Sequence, residues 1–267
     1  MGMVAAVTIL AMHRSGALDT LSTRLALGGL VMGEVVLALL VAISASATAV
    51  SREREDGSLD ILLTTPIQPG PYLGGKLRGL LAALWPALAA PTLTLLMGAA
   101  YVAVGGLGAA SVTTPNIVGT MKIEEPLVLV PAAIAFGPSF GAFMAFACMC
   151  GLSWSVGSKG VIGSTVGALG VVAATVLVLG LCGLATGREI PVVGPVIICL
   201  TPVNLAWAAV SPASAIPGQL EKPEGMLVAF AVGCVIAVSA FTVTTLLMHA
   251  ALQRNFMMTV RRLAGMK

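Results

Sequence analysis

Few residues in this chain have the types and spacing for chemistry. Glu34 is an ionisable group inside the apolar run 25–50. A carboxylate at that depth is costly in lipid and marks a transport pathway, or else a packing position near the interface. The stretch Ser51-Arg-Glu-Arg-Glu-Asp-Gly-Ser-Leu-Asp-Ile-Leu-Leu-Thr-Thr-Pro66 is the densest run of charge. Gly70-Pro-Tyr-Leu-Gly-Gly-Lys76 matches the first seven positions of a phosphate-binding loop. The eighth position requires a hydroxyl to hold magnesium, and Leu77 has none, so an ATP site is not expected here. Ser139, in Gly137-Pro-Ser-Phe-Gly141, and His249 lie in two apolar runs, the arrangement of an intramembrane serine protease. Pro138 crowds that serine, and roughly 15–20 Å of depth should separate the two side chains at ~1.5 Å per helical residue, against the ~3 Å of a working hydrogen bond. Cys148-Met-Cys150 hints at metal, but small apolar residues of a membrane helix explain it better.

The surrounding sequence dictates what positions these groups. Of 267 residues, 58% are hydrophobic and 9% charged, with mean hydropathy +1.02. A soluble domain carries about 25% charged residues, so this composition excludes a solvated globule of this size. Full-length apolar runs cover 25–50, 77–104, 127–152, 161–184 and 225–250, each long enough for a hydrocarbon core that takes about 20 helical residues. Residues 1–12 span only about 18 Å as a helix and read as the outer part of a first membrane helix whose beginning is missing or mis-assigned. The expected fold is all-α, a polytopic membrane protein of about six transmembrane helices, the first incomplete. Pro86 and Pro91 are expected to kink the run 77–104, and 105–126 reads as a polar, glycine-containing loop. The five cysteines fall in apolar runs, so no disulfide framework is inferred. Gly29/Gly33, Gly137/Gly141 and Gly163/Gly167 are spaced for close helix approach.

Charge orients the runs. Arg52, Arg54, Lys76 and Arg78 lie in 51–78, and Arg254, Arg261, Arg262 and Lys267 in the tail 253–267; cations near span ends favour the cytoplasm. Both segments should be inside, with both termini cytoplasmic. The run 191–212, broken by Pro195, Pro202 and Pro212, then makes no net crossing and is expected to be an outer re-entrant segment. Within 51–66, Asp56 and Asp60 share one helical face while Leu59, Leu62 and Leu63 form the other. This is either a solvated loop at the headgroups or a docking element for a soluble partner.

The same stretch, followed by Tyr72-Leu-Gly-Gly-Lys76, resembles the first cytoplasmic loop of permease subunits of type-2 ABC exporters. Glu53, Arg54, Glu55, Gly57, Leu59, Leu62, Leu63, Thr65, Pro66, Gly75 and Lys76 match that pattern, and Ser58 stands for threonine. The resemblance implies a single permease domain over 1–267 in the cell (inner) membrane. A separate ABC ATPase would bind ATP and magnesium, and a second permease subunit would complete the pathway. It implies an ATPase-coupling segment formed by Arg52, Glu53, Arg54, Glu55, Gly57, Leu59, Leu62 and Pro66; Glu34 stays a pathway candidate on its depth in the apolar run alone. No cofactor is expected in this chain, no catalytic or metal residue, and no nucleic acid as partner. The rival readings are an ion-coupled carrier, which would place several ionisable groups at the midplane where only Glu34 qualifies, and an accessory membrane subunit.

Overall fold

The computed structural model describes residues 2–57, 69–109, 111–118, 121–158, 160–190, 193–217, 220 and 225–263, with side chains omitted at Arg54, Pro69, 117–118, 121–123, 187–188 and 257–263. The helices are α1 (Gly2–Arg14), α2 (Thr20–Thr48), α3 (Ser51–Glu55), α4 (Pro69–Ala103), α5 (Val130–Gly157), α6 (Val161–Glu189), α7 (Gly194–Ile198), α8 (Pro202–Val210), α9 (Pro212–Ala215) and α10 (Met226–Leu263). Five of them are long and apolar enough to cross a membrane, and α1 is a shorter apolar helix. The chain is therefore a polytopic all-α membrane protein. Asp19 starts α2, earlier than the apolar run suggested. Its carboxylate accepts the Ser22 N–H at 3.2 Å, and hydrogen bonds from Ser22 hold that carboxyl below the usual carboxylate range. At the other end, α10 continues past residue 250 through part of the basic tail. The helix α4 likewise begins at Pro69 and continues through Pro86 and Pro91.

The chain divides into two compact units. The first comprises residues 1–37, 87–141 and 176–238; the second comprises 38–86, 142–175 and 239–267. Each of the five long helices begins in one unit and ends in the other. By contrast α7, α8 and α9 all lie in the first, so the proline-rich segment leaves and returns within one unit.

In the first unit, the stretch read as a loop contains an antiparallel hairpin, β1 (Thr113–Val118) with β2 (Met121–Pro126), in register from Thr113↔Pro126 to Val118↔Met121. Threonine, isoleucine and valine favour strands, and Pro115 is tolerated because in a two-stranded ribbon every strand is an edge. Glu125 on β2 is 3% exposed and Arg24 on α2 is 5% exposed, and the two form a buried ion pair. The same Arg24 donates to the carbonyls of Glu125 at 2.9 Å and Pro126 at 3.0 Å. The Glu125 carboxylate also accepts the Asn116 amide at 3.1 Å and the Ala213 N–H, in α9, at 2.8 Å. One acid thus ties α2, the hairpin and α9 together. Nearby, Asn204 of α8 donates to the Gly180 carbonyl of α6 at 2.8 Å, and a Cβ at Gly183 would stand 2.6 Å from the Asn204 amide nitrogen. Phe136 and Phe140 stack at 5.1 Å in this unit's core.

In the second unit, Phe143, Phe146 and Phe241 form an aromatic cluster with centroids 5.0–5.8 Å apart. Of the small-residue pairs, Gly137 and Gly141 meet Thr92 and Leu88 of α4 in the first unit, and Gly167 meets Trp154 in the second. Gly29 and Gly33 face open space. Only the first pair therefore brings two helices together through both residues.

Removing Arg24 leaves Glu125 buried without its cation, a defect that costs about 3–5 kcal/mol. Arg24→Met should therefore markedly lower the thermal unfolding midpoint of the full chain in detergent, and an unchanged midpoint would contradict the assignment. Gly183→Ala should cost about 1–3 kcal/mol by overpacking against Asn204, read in the same assay.

Candidate functional site

The charged stretch enters the structure at the end of α2. The helix stops at Thr48, and the N–H groups of Val50 and Ser51 both donate to Ser155 Oγ of α5, at 2.9 and 2.8 Å. The buried Ser51 hydroxyl donates to the Ala47 carbonyl at 2.9 Å and lies 3.4 Å from Ser164 Oγ of α6. A single serine side chain on α5 thus satisfies two backbone donors that the helix break would leave unpaired. The short helix α3 follows. The Asp56 N–H bonds to the Arg52 carbonyl at 2.9 Å, and Gly57 ends the turn at φ +71°, the left-handed conformation that glycine adopts without strain.

Two acids of α3 are occupied within the chain. Glu53 is paired with Lys76 of α4 and accepts the Tyr72 hydroxyl at 2.5 Å. Lys76 also donates to the Ala49 carbonyl at 2.7 Å and lies 5.6 Å from the centre of the Tyr72 ring. Below this cluster, Val50, Leu73, Leu152, Val156 and Phe256 form an apolar core against which Tyr72, Leu77 and Leu252 pack. Glu55, although exposed, accepts the Val161 N–H at 3.0 Å. It supplies negative charge and an acceptor to the first turn of α6, where backbone donors are free and the helix dipole is positive. Arg52 and Asp56 are exposed and make no side-chain contact among the described residues.

The segment expected to couple is thus brought together only in part. Arg52, Glu53, Glu55 and Gly57 are placed on or just after α3. Leu59, Leu62 and Pro66 lie outside the described residues, as does the Arg54 side chain, so the expected apolar face has no structural description. Sequence reasoning assigned Glu53 and Glu55 outward contacts and missed their inward ones. Tyr72 and Lys76 four residues apart gave the available signal: they share a helix face, and a cation and a phenol entering a span need an acceptor.

The other candidates fall separately. Residues 70–77 lie inside α4, so their backbone N–H groups after the first turn serve the helix and cannot cradle a phosphate. Ser139 belongs to the first unit and its buried hydroxyl has no hydrogen-bond partner among the described residues. His249 belongs to the second, where its Nε2 meets the Gln253 amide at 2.6 Å. Cys148 and Cys150 are buried on α5 as free thiols. The described residues hold no cluster of three or more histidine, cysteine or acidic side chains able to bind a metal. Glu34 lies against α1: a Cβ on Gly2 would overlap its carboxylate. Both Glu34 oxygens, and the Thr94 hydroxyl of α4, are buried without a hydrogen bond among the described residues.

Two substitutions test this geometry. Glu53→Gln should lower stability by about 1–3 kcal/mol, the scale of losing a charged acceptor from a half-buried site, while Gly57→Val should cost about 1–2 kcal/mol through the left-handed backbone. Thermal unfolding of the full chain checks both, and wild-type midpoints would contradict the contacts described.

A model of the family described as ABC-2 family transporter protein matches residues 2–252. A search of curated proteins found no match to the chain.

Proposed function

The chain belongs to the ABC-2 family of transporter proteins, and from that premise we propose that it is the permease subunit of an ATP-driven transporter, energised through the segment after α2 by a separate ABC ATPase. The observation that carries this reading is the way α3 is held. Hydrogen bonds and an ion pair join it to the end of α2, to the start of α4 through Glu53, and to the start of α6 through Glu55. A contact so fixed passes a push to three spanning helices at once, whereas a loose loop would absorb it. Arg52 and Asp56 offer one charge of each sign to a partner, which suits a polar protein contact better than an anionic lipid surface. Glu53 and Glu55 position the segment; Arg52 and Asp56 meet the ATPase, with Arg54, Gly57, Leu59, Leu62 and Pro66 extending the contact. ATP and magnesium belong to the ATPase, and a second permease subunit completes the pathway.

The accompanying topology is one permease domain in the cytoplasmic membrane, with the α3 segment, the basic tail and both termini inside. The segment α7–α9 is re-entrant on the outer side, a reading supported by its staying within one unit. Glu34 is proposed as a pathway residue, on the strength of a carboxylate buried at membrane depth beside Thr94 of α4, its oxygens making no hydrogen bond of ordinary geometry among the described residues.

Co-purification with a co-expressed ABC ATPase tests the coupling. Arg52→Glu combined with Asp56→Lys should reduce recovery about tenfold or more, equal to ~1.4 kcal/mol, with thermal stability unchanged because neither side chain makes a hydrogen bond or ion pair among the described residues. Equal recovery would overturn the assignment. Reversing Glu53 or Glu55 does not discriminate, since each also holds α3. Glu34→Gln should abolish transport by the assembled complex while leaving ATPase recovery intact; normal transport would leave Glu34 a packing residue.

A further inference from the structure

Within the first unit, α1 and α4 meet near their C-terminal ends. His13 Nδ1 lies 2.8 Å from the Tyr101 hydroxyl, and the ring centroids are 5.7 Å apart at 76°. Beside this contact the two helices enclose a cavity of about 360 Å³. Val7, Leu10 and Ala11 of α1 and Met97, Ala100 and Val104 of α4 line it. Arg14, in the last turn of α1, also lines it; it is exposed and makes no ion pair or hydrogen bond among the described residues. We propose that this groove binds an anionic phospholipid from the surrounding bilayer, with one acyl chain between α1 and α4 and the phosphate on Arg14.

The argument rests on how polarity changes along the groove. Moving from Arg14 through Ala11 and Leu10 to Val7, the wall passes from a cation to uninterrupted apolar side chains. On the facing wall Tyr101, its hydroxyl held by His13, lies near the Arg14 end, and Val104, Ala100 and Met97 are apolar. Val7 is 53% and Val104 59% exposed, and α4 is long and apolar enough to cross the membrane, so these surfaces face lipid. An amphiphile with a negative head and an apolar tail matches that gradient in charge and shape, with the Arg14 guanidinium as the partner of its phosphate. The bland account is that Arg14 only offsets the negative end of the α1 dipole or snorkels to the interface. That account predicts no preference among headgroups. The proposal requires one.

Native mass spectrometry of the detergent-purified full chain, titrated with phosphatidylglycerol or phosphatidylcholine of identical acyl chains, separates the two. The anionic lipid should be retained about tenfold more strongly. Arg14→Gln should bring its retention down to that of phosphatidylcholine. Ala100→Trp, which fills the groove, should reduce retention of both lipids; Ala11→Leu does the same more mildly should the tryptophan variant fail to fold. Arg254→Gln, at an exposed arginine elsewhere, should behave as wild type. Equal retention of both lipids by the wild type, a preference surviving in Arg14→Gln, or undiminished binding with the groove filled would each overturn the proposal. So would a second copy of the chain in place of lipid, seen as dimers lost in Ala100→Trp.

Discussion

Hydrocarbon offers no water to a polar group, so a broken backbone hydrogen bond at membrane depth must be satisfied by the protein or by water in a cavity that the protein lines. The architecture follows from that constraint at three places. Where α2 breaks before α3, one hydroxyl, Ser155 Oγ, takes both freed N–H groups. Where the chain turns back through short helices, Glu125 takes an arginine, an asparagine amide and the Ala213 N–H at once. Where α8 meets α6, Asn204 bonds a helix carbonyl at the space left by glycine. In each case a polar side chain makes an irregular backbone tolerable, and the irregular backbone carries the segments of functional interest.

The same constraint explains why α3 is suited to a mechanical role. A charged helix at the end of a span would ordinarily be solvated and loosely placed. Here Glu53 and Glu55 turn toward α4 and α6, and the apolar core of Val50, Leu73, Leu152, Val156 and Phe256 lies beneath. Their neighbours Arg52 and Asp56 are exposed. The charges of α3 therefore divide into two held acids and an exposed pair of opposite sign, which a count of charges cannot distinguish. Membership in the ABC-2 transporter family gives this geometry its context.

The spanning helices were legible because long apolar runs admit one structure in a bilayer, and 191–212 read as something other than one net crossing because the cations of 51–78 and of the tail favour the same side. The hairpin was not legible. Pro115 masked its β-branched run, and its place depends on Glu125 finding Arg24, about a hundred residues away in sequence. Arg24 itself read as a polar residue ahead of a span; only the fold shows it buried. At the candidate site, the segment was visible from charge density and motif, whereas the roles of its acids were not. Glu53 and Lys76 are adjacent only once α2 and α4 are set side by side, and Glu55 reaches the start of α6 only through tertiary contact. Pro86 and Pro91 lie inside α4, which continues as a helix through both.

The central claim is that the exposed face after α2 is where an ATPase seats. The most direct measurement is photo-crosslinking from a photoreactive residue at position 56 of the full chain, in membranes that also contain a co-expressed ABC ATPase, with and without ATP. The account predicts a crosslink to the ATPase subunit that is lost when Arg52 is reversed to glutamate. Crosslinks confined to lipid, or to another copy of this chain, would contradict it.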